Sequence, residues 1–315
     1  MGILDGKAVA VTGAGRGIGR AVALDLAANG ASVVVNDFGV AVDGSSPTSE
    51  VAAGVVREIE AAGGKAVANA SSVTSMQGGA SIVQSAVEAF GRIDAVVCVA
   101  GILRERMLFN MAEEEWDPVI ETHLKGTFTV FRAAAPIFRD QKSGTFIGFT
   151  SGAFAASVAQ ANYSAAKGGI VSLVRSAAAG LYKYGVTANC VAPVAKSRMS
   201  GAVPMGFQMG EPEDVAPLVT FLVSDRARHL TGQIYSINGG EIGVYNQPVV
   251  VRTMTKQGRW TPEEIAERID AGVGSERLPI LDMLDRMAAA AAKKKGASGT
   301  KSSMPTGGTG PATGS

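Results

Sequence analysis

The stretch Ala8-Val9-Ala10-Val11-Thr12-Gly13-Ala14-Gly15-Arg16-Gly17-Ile18-Gly19 joins a short apolar run to a glycine-rich turn and then to a helical pattern. Glycines let a backbone come close to a pyrophosphate, and the free N–H groups at a helix N-terminus attract that anion. A turn of this kind could be no more than a tight connection between a strand and a helix. Its place at the first strand–helix junction favours nucleotide binding, with Gly13, Arg16, Gly17, Ile18 and Gly19 as the contacts.

Beyond this junction, short apolar runs alternate with longer helical patterns as far as residue 245. The apolar runs lack a two-residue alternation, which is typical of a parallel sheet covered on both faces. We therefore predict an α/β fold with one doubly wound, Rossmann-type parallel sheet of about seven strands, helices on both faces and a ligand crevice at the carboxyl ends of the strands. The predicted strands are Ala8–Val11, Ser32–Asn36, Ala66–Ala70, Ala95–Ala100, Thr145–Phe149, Thr187–Val191 and Gln233–Ile237. The predicted helices are Arg16–Asn29, Glu50–Ala62, Gln77–Phe90, Glu113–Arg139, Asn162–Tyr182 and Pro212–Ser224.

The pattern changes after Tyr245. Thr261-Pro262-Glu263-Glu264 reads as a helix start, because it combines a capping hydroxyl, a proline in the first turn and two acids near the positive end of the helix dipole. The tail from Lys293 (KKKGASGTKSSMPTGGTGPATGS) has almost no bulky apolar residues and is predicted to be disordered. The chain is thus predicted to hold a nucleotide-binding catalytic domain over residues 1–245, a short helical extension over 246–292 and a disordered tail over 293–315.

Composition narrows the class of protein. Hydrophobic residues make up 46% of the chain, charged residues 18%, and the formal net charge is +1, so neither nucleic acid nor an anionic membrane is an expected partner. The two histidines, His123 and His229, lie far apart, and no metal-ligand spacing is present. No apolar run reaches the roughly 18 residues that a membrane span needs. We expect neither a metal site nor a membrane span.

Both cysteines, Cys98 and Cys190, lie within apolar runs. This placement predicts buried free thiols in a reducing compartment rather than a disulfide framework. The sequence opens directly into a strand pattern, without the basic segment and long apolar stretch of a secretory leader. The cytoplasm is therefore the expected compartment.

An acidic residue, Asp37, ends the second predicted strand about 20 residues beyond the glycines. A carboxylate at this point can accept hydrogen bonds from a ribose 2′-hydroxyl and would repel a 2′-phosphate. Asp37 therefore favours NAD over NADP, although a solvated loop acid is the alternative interpretation. Arg16 argues mildly for NADP, because a cation beside the turn could pair with a phosphate.

Tyr163 and Lys167 stand four positions apart at the start of a predicted helix, where residues at this spacing share a face. A phenol with a pKa of about 10 is a poor base at neutral pH, but an adjacent ammonium stabilises the phenolate. The pair could also be an ordinary surface pair. Thr150 and Ser151, which lie 13 and 12 residues before Tyr163, end an apolar strand and offer a hydroxyl that could orient a substrate oxygen. The four residues are the candidate catalytic groups for proton transfer at an alcohol or carbonyl oxygen.

Together the glycine turn, Asp37 and Tyr163-x-x-x-Lys167 resemble the short-chain dehydrogenase/reductase family from Gly2 to about Val244. The resemblance implies a single-domain Rossmann-type fold, dimers or tetramers formed through long helices, and a Lys167 that also binds the nicotinamide ribose. A helix that is apolar around most of its circumference, over 162–181, likewise indicates a homodimer or homotetramer. Further cofactor contacts implied by the resemblance are Ser72 and Val73 at the adenine, Ala100 and Gly101 after the fourth strand, and Pro193 in the loop at the nicotinamide.

Three positions depart from the pattern of this family. Cys98-Val99-Ala100-Gly101 stands where the family has Asn-Asn-Ala-Gly, so two bracing polar side chains are missing. The family spacing of the orienting serine falls on Thr150, and Ser151 would serve only if a small deletion follows it. His123 stands where an asparagine often supports the lysine through water, and it could equally be a packed structural histidine. These departures leave open a catalytically weak relative that acts as a binding or scaffold subunit.

Several local stretches are similar to the (3R)-hydroxyacyl-CoA dehydrogenase domain of peroxisomal multifunctional enzyme type 2 and its bacterial stand-alone relatives. They include Gly63 to Asn69, Phe90 to Asp94, Ala100 to Arg106 and Gln160 to Lys167. The resemblance implies a small-molecule substrate, either a 3-hydroxyacyl-CoA or a hydroxysteroid-type alcohol, oxidised with NAD. The rival is an NADPH-dependent 3-oxoacyl-thioester reductase, and Asp37 is the residue that argues against it.

Overall fold

A computed structural model describes residues 2–39, 49–196, 209–274 and 278–299, with the backbone alone over most of 291–299. The chain divides into two compact units, Met1–Asn246 and Gln247–Ser315. Within the described ranges, no helix combines the length and the apolar character that crossing a membrane requires.

The first unit is built on one sheet of eight strands in the order β3-β2-β1-β4-β5-β6-β7-β8. The strands are β1 Ala8–Thr12, β2 Ser32–Asn36, β3 Lys65–Asn69, β4 Ala95–Cys98, β5 Gly144–Phe149, β6 Val186–Pro193, β7 Ile234–Asn238 and β8 Glu241–Val244. The first seven are parallel, which confirms the predicted doubly wound sheet. The order reverses between β1 and β4, and this reversal opens a crevice at their carboxyl ends.

The eighth strand was not predicted. β8 pairs antiparallel with β7 through the two-residue loop Gly239-Gly240, in which Gly239 has a φ of +54°. Most of β8 is exposed, so it lacks the apolar run by which the other strands were identified. A Gly-Gly pair between two extended segments is itself a hairpin signal, and it could have revealed this strand.

Helices cover both faces of the sheet. They are α1 Gly17–Ala28, α2 Glu50–Ala61, α3 Met76–Phe90, α4 Glu113–Ile120, α5 Gly126–Gln141, α6 Ala161–Leu181 and α7 Pro212–Val223. One apolar core joins the sheet to α1, α2 and α7, and the other joins it to α3, α5 and α6. Strands β1, β4 and β5 are buried along their whole length between these two cores.

The long helix predicted over Glu113–Arg139 is interrupted. A π-helical turn, Glu121–Lys125, separates α4 from α5 and carries the buried His123. The periodicity of the sequence does not reveal the interruption, because the stretches on both sides remain helical. Single π turns of this kind are frequent at functional sites.

The second unit contains α8 Pro262–Arg268 and α9 Pro279–Gly299. As expected, Thr261 caps α8: its hydroxyl accepts from the Glu264 N–H at 3.2 Å, and the Glu264 carboxylate accepts from the Thr261 N–H at 2.8 Å. Helix α9 continues past Ala292, so the predicted boundary at Lys293 falls inside a helix. The run of alanines and lysines there consists of strong helix formers. Residues 300–315 of the predicted tail lie outside the described residues.

Candidate functional site

The glycine turn follows β1 directly and requires glycine for several reasons. Gly13 has a φ of +65°, and a Cβ there would lie 2.7 Å from the Cα of Ala100. Gly17 has a φ of +49° with open space beside it, whereas a Cβ on Gly19 would overlap the carbonyl oxygen of Gly13. Gly17 is the exposed residue of the turn, and a phosphate could approach the backbone there without meeting a side chain. Arg16 precedes the first residue of α1, and Ile18 is half-buried against the core.

The carboxylate of Asp37 lies against this turn. Its Oδ2 accepts from the N–H of Gly15 at 2.9 Å, and its Oδ1 accepts from the N–H of Gly39 at 2.6 Å. A Cβ on Gly15 would approach Asp37 Oδ2 to 2.7 Å. The structure thus brings Asp37 and the glycine turn together at the carboxyl end of β2.

A polar network that sequence reasoning missed supports the neighbouring edge. Buried Asn36 donates through Nδ2 to Asn69 Oδ1 at 3.0 Å and to the Ser71 carbonyl at 2.9 Å. The signal was present, because an asparagine ends each of two adjacent strands. This network fixes the chain just before Ser72 and Val73, and the Val73 carbonyl accepts from Thr129 Oγ1 at 2.7 Å.

The carboxyl ends of β4 and β6 bring the remaining cofactor candidates to the same edge. The Ala100 N–H donates to Thr12 Oγ1 at 3.3 Å, which holds the segment of Ala100 and Gly101 beside the glycine turn. Pro193 is the last residue of β6. The candidates therefore come together at one edge of the sheet, although they are spread over 180 residues of sequence.

Helix α6 carries Tyr163 and Lys167 into the crevice. Lys167 Nζ lies 5.3 Å from the centroid of the Tyr163 ring and donates to the carbonyl oxygen of Phe149 at 2.7 Å. Burial lowers the pKa of Lys167 to about 7. Burial raises the pKa of Tyr163, and a hydrogen bond with the Ser151 hydroxyl opposes that rise. The ammonium therefore depends on fixed acceptors to keep its proton in this buried setting.

The structure separates the two candidate hydroxyls. Ser151 faces the Tyr163 phenol. Thr150 is buried, and its Oγ1 donates to the backbone carbonyl of Lys167 at 2.9 Å. The family spacing of 13 residues pointed to Thr150, but its hydroxyl is held by the Lys167 backbone, and the following residue, Ser151, faces the phenol.

His123 is a neutral, packed histidine beside the catalytic candidates. Its Nε2 lies 2.8 Å from the Ile102 carbonyl, and its ring meets the Tyr163 ring edge-on at a centroid distance of 5.1 Å. Burial and the charge of Lys167 hold the pKa of His123 well below its usual range. A Cβ on Gly101 would overlap this imidazole, so glycine is required there.

Both cysteines are buried free thiols, and the geometry excludes a bond between them. Cys98 and Cys190 each pair in register with Gly148, so one strand separates them. Two strand spacings amount to about 9.5 Å between Cα atoms, beyond the roughly 7 Å that a disulfide can span. Burial raises the pKa of each thiol to about 12.

We expect neither cysteine to react with a thiol reagent at neutral pH while the protein is folded, because the thiolate is the reactive form. Both should react once the chain is unfolded in guanidinium. Counting labelled thiols by mass spectrometry tests this, and rapid labelling of either cysteine in the folded protein would contradict it.

Ala159, in the connection between β5 and α6, adopts a left-handed backbone with a φ of +59°. Its carbonyl accepts from the Arg106 N–H at 2.8 Å, which fixes this conformation. Because a side chain in this region costs about 1 kcal/mol, Ala159→Gly is expected to raise the free energy of unfolding by up to that amount. Ala80→Gly, on the exposed face of α3, should lower it by about 1 kcal/mol. Urea unfolding compares them, and destabilisation by both would contradict the prediction.

Comparison with known proteins places this architecture in a family. Residues 13–241 match the family model described as "Enoyl-(Acyl carrier protein) reductase". A solved short chain dehydrogenase from Mycobacterium avium is 45% identical, with a TM-score of 0.79 over 88% of this chain and 97% of that one. The protein belongs to the short-chain dehydrogenase/reductase family and is an oxidoreductase of hydroxyl and keto groups.

Two curated relatives are similar over most of this chain. A peroxisomal hydratase-dehydrogenase-epimerase of Neurospora crassa is 44% identical over 241 residues, which are 76% of this chain but 27% of that protein. The chain therefore spans about a quarter of that relative. A hydroxyacyl-CoA dehydrogenase of Mycobacterium tuberculosis is 40% identical over 281 residues, which are 83% of this chain and 87% of that protein.

Proposed function

We propose that this protein is an NAD-dependent oxidoreductase that interconverts a secondary alcohol and a ketone on a 3-hydroxyacyl-CoA or hydroxysteroid-type substrate. The observation that carries the proposal is the arrangement around Tyr163, whose phenol meets Ser151 on one side and whose ring lies beside the Lys167 ammonium. The group stands at the edge of the sheet that also holds the glycine turn and Asp37.

Each residue has a defined task in alcohol oxidation. Ser151 orients the alcohol oxygen, Tyr163 removes its proton, and Lys167 stabilises the phenolate that takes part. NAD, when bound, supplies the hydride acceptor. In ketone reduction the same phenol returns the proton. The residues that would hold the cofactor are Gly13, Arg16, Gly17, Ile18, Gly19, Asp37, Ser72, Val73, Ala100, Gly101 and Pro193, together with Lys167.

The preference for NAD rests on Asp37. A carboxylate held by two backbone N–H groups at the end of β2 suits a ribose hydroxyl and opposes a phosphate in the same place. The substrate class is supported by the two relatives, which are named as a hydroxyacyl-CoA dehydrogenase and as a hydratase-dehydrogenase-epimerase.

Formation of NADH, followed by its absorbance, tests the proposal. The panel contains (3R)- and (3S)-hydroxyacyl-CoAs, hydroxysteroids and simple secondary alcohols, each with NAD or NADP. Turnover with NAD that is lost in Tyr163→Phe supports the proposal, and the best substrate distinguishes a thioester from a steroid. NAD binding without turnover of any alcohol or of the matching ketones with NADH would contradict it.

A second candidate is the NADPH-dependent reduction of a 3-oxoacyl thioester, and a relative from Staphylococcus aureus, 38% identical over 248 residues and named as a 3-oxoacyl-[acyl-carrier-protein] reductase, favours it. Higher kcat/KM with NADPH and a 3-oxoacyl thioester would establish this alternative. The non-enzymatic alternative is a binding or scaffold subunit. It is based on Cys98-Val99, which stand where the family has two asparagines. It predicts a protein whose role in cells is unchanged by Tyr163→Phe.

We propose that the protein works as a homodimer or homotetramer formed through α6, in the cytoplasm, where its two buried thiols remain reduced. The exposed positions of α6 all carry small residues, which allow close approach of a second helix: Ala165, Ser172, Ser176, Ala179 and Gly180. Light scattering at micromolar concentration measures the mass, and a monomer would contradict the first part of this proposal.

A further inference from the structure

Two reciprocal hydrogen bonds join the carboxyl end of β5 to Lys167. Lys167 Nζ donates to the Phe149 carbonyl at 2.7 Å, and Thr150 Oγ1 donates to the Lys167 carbonyl at 2.9 Å. Phe149, the last residue of β5, and Thr150, which follows it, thus hold both ends of one lysine: a backbone oxygen holds the ammonium, and a side-chain hydroxyl holds the backbone. All three residues are at least 96% buried, so water does not compete for these bonds.

The Thr150 hydroxyl is committed to this bond and is not available to a substrate. Thr150 is 2% exposed, and its N–H donates to the Val191 carbonyl on β6 at 2.9 Å. The Lys167 carbonyl lies inside α6, where the helix already supplies a donor four residues later. The Lys167 carbonyl therefore does not need Thr150 as a hydrogen-bond donor. The additional bond fixes the second turn of α6 to the sheet.

We propose that Thr150 is a positioning residue, which anchors the backbone of Lys167 to β5 and so sets the place of the ammonium beside Tyr163. The inference rests on the proposed function of the Tyr163 site. A lysine side chain has four rotatable bonds, and a charge at its end is fixed only when both the backbone and the ammonium are held. The Phe149 carbonyl holds one end and Thr150 the other.

The ionisation of Tyr163 measures the effect of this anchor. Incorporating 3-fluorotyrosine lowers the pH at which a phenol ionises, and ¹⁹F NMR then resolves the five tyrosines of the chain. The resonance that is missing in Tyr163→Phe identifies Tyr163. Burial lowers the pKa of Lys167 to about 7, but the phenolate, as it forms, favours the protonated lysine, so the two groups titrate as a pair. In Thr150→Val, which keeps the size but loses the hydroxyl, the pKa of Tyr163 should rise by about one unit, a tenfold loss of phenolate at a given pH. Thr150→Ser should restore the original value.

A double-mutant cycle shows whether Thr150 acts through Lys167. In the Lys167→Met background, Thr150→Val should leave the pKa of Tyr163 unchanged, because no ammonium remains to be positioned. Ser151→Ala is the matched control: it removes a direct contact with the phenol, so its effect should persist in that background. No rise in Thr150→Val, an equal rise in Thr150→Ser, or a rise that persists in Lys167→Met would overturn the proposal.

The titration does not depend on turnover, so its result stands whether or not the protein oxidises the proposed alcohols. Circular dichroism over the same pH range shows that each variant is folded. If Thr150→Val does not fold, Thr150→Ala removes the same hydroxyl with less bulk in the buried site, and the same outcomes apply.

Discussion

The variant Tyr163→Phe is expected to lose about two to four orders of magnitude in kcat while binding NADH as tightly as the unchanged protein. In the proposed function the phenol moves the proton of the alcohol, and a positioned acid or base contributes rate enhancements of about that size. Phenylalanine keeps the aromatic ring, so the edge-on contact with His123 and the packing beside Lys167 remain. Steady-state kinetics with the best substrate and NADH fluorescence titration measure the two quantities.

Tyr182→Phe provides the matched control. Tyr182 is 70% exposed at the end of α6, so the substitution removes the same hydroxyl at a position far from the crevice. Its kcat should be unchanged. A Tyr163→Phe protein that retains full kcat would show that another group moves the proton. An equal loss in both variants would indicate a general effect on the fold.

Replacement of Asp37 is expected to have the second largest effect. Asp37→Ser should lower the ratio of kcat/KM for NAD to kcat/KM for NADP by about 100-fold. Loss of charge-assisted hydrogen bonds to the ribose costs about 1.5–3 kcal/mol, which corresponds to roughly 10–100-fold for NAD. Removal of the carboxylate also relieves the repulsion of a 2′-phosphate, which favours NADP. Initial rates at varied cofactor concentration give the ratio.

Asp37→Asn shows how much of the change in the NAD-to-NADP ratio comes from the charge of the side chain and how much from its shape. The amide keeps the size of the side chain and one oxygen that can accept from the Gly15 N–H, so an intermediate ratio is expected. Asp140→Asn, at an exposed position beside Arg139, changes the net charge equally and should leave the ratio unaffected. An unaltered ratio in Asp37→Ser would mean that the cofactor ribose is bound elsewhere.

The sheet was predictable because its signal is local. Strands buried on both faces are mostly apolar runs. Strands β1, β2, β4, β5 and β6 are almost wholly buried, whereas β8 is mostly exposed. The π-helical turn at Glu121–Lys125 was not predictable, because one additional residue per turn leaves the helical pattern on either side intact. The helical extension was predicted to end at residue 292, because the tail beyond it has the composition of a disordered segment. Alanine and lysine are strong helix formers, and α9 continues to Gly299.

The candidate site was predictable to the extent that its parts are close in sequence. Helical spacing places Tyr163 and Lys167 on one face of α6, and the glycine turn identifies itself by residue type. The roles of Thr150 and Ser151 could not be assigned, because adjacent residues leave a strand in different directions. The Asn36–Asn69 network was missed, because its members are 33 residues apart and meet only through the pairing of β2 with β3.

By itself the sequence determined the parallel α/β sheet, the glycine turn at its first strand and the phenol and ammonium four residues apart, because periodicity, residue type and short spacing carry that information. Only the tertiary structure decided that Ser151 meets the phenol, that Thr150 holds the backbone of Lys167, and that His123 packs against Gly101 and Tyr163. These contacts join residues distant in sequence, and their geometry is set by strand register, by the π turn and by the way α6 packs on the sheet.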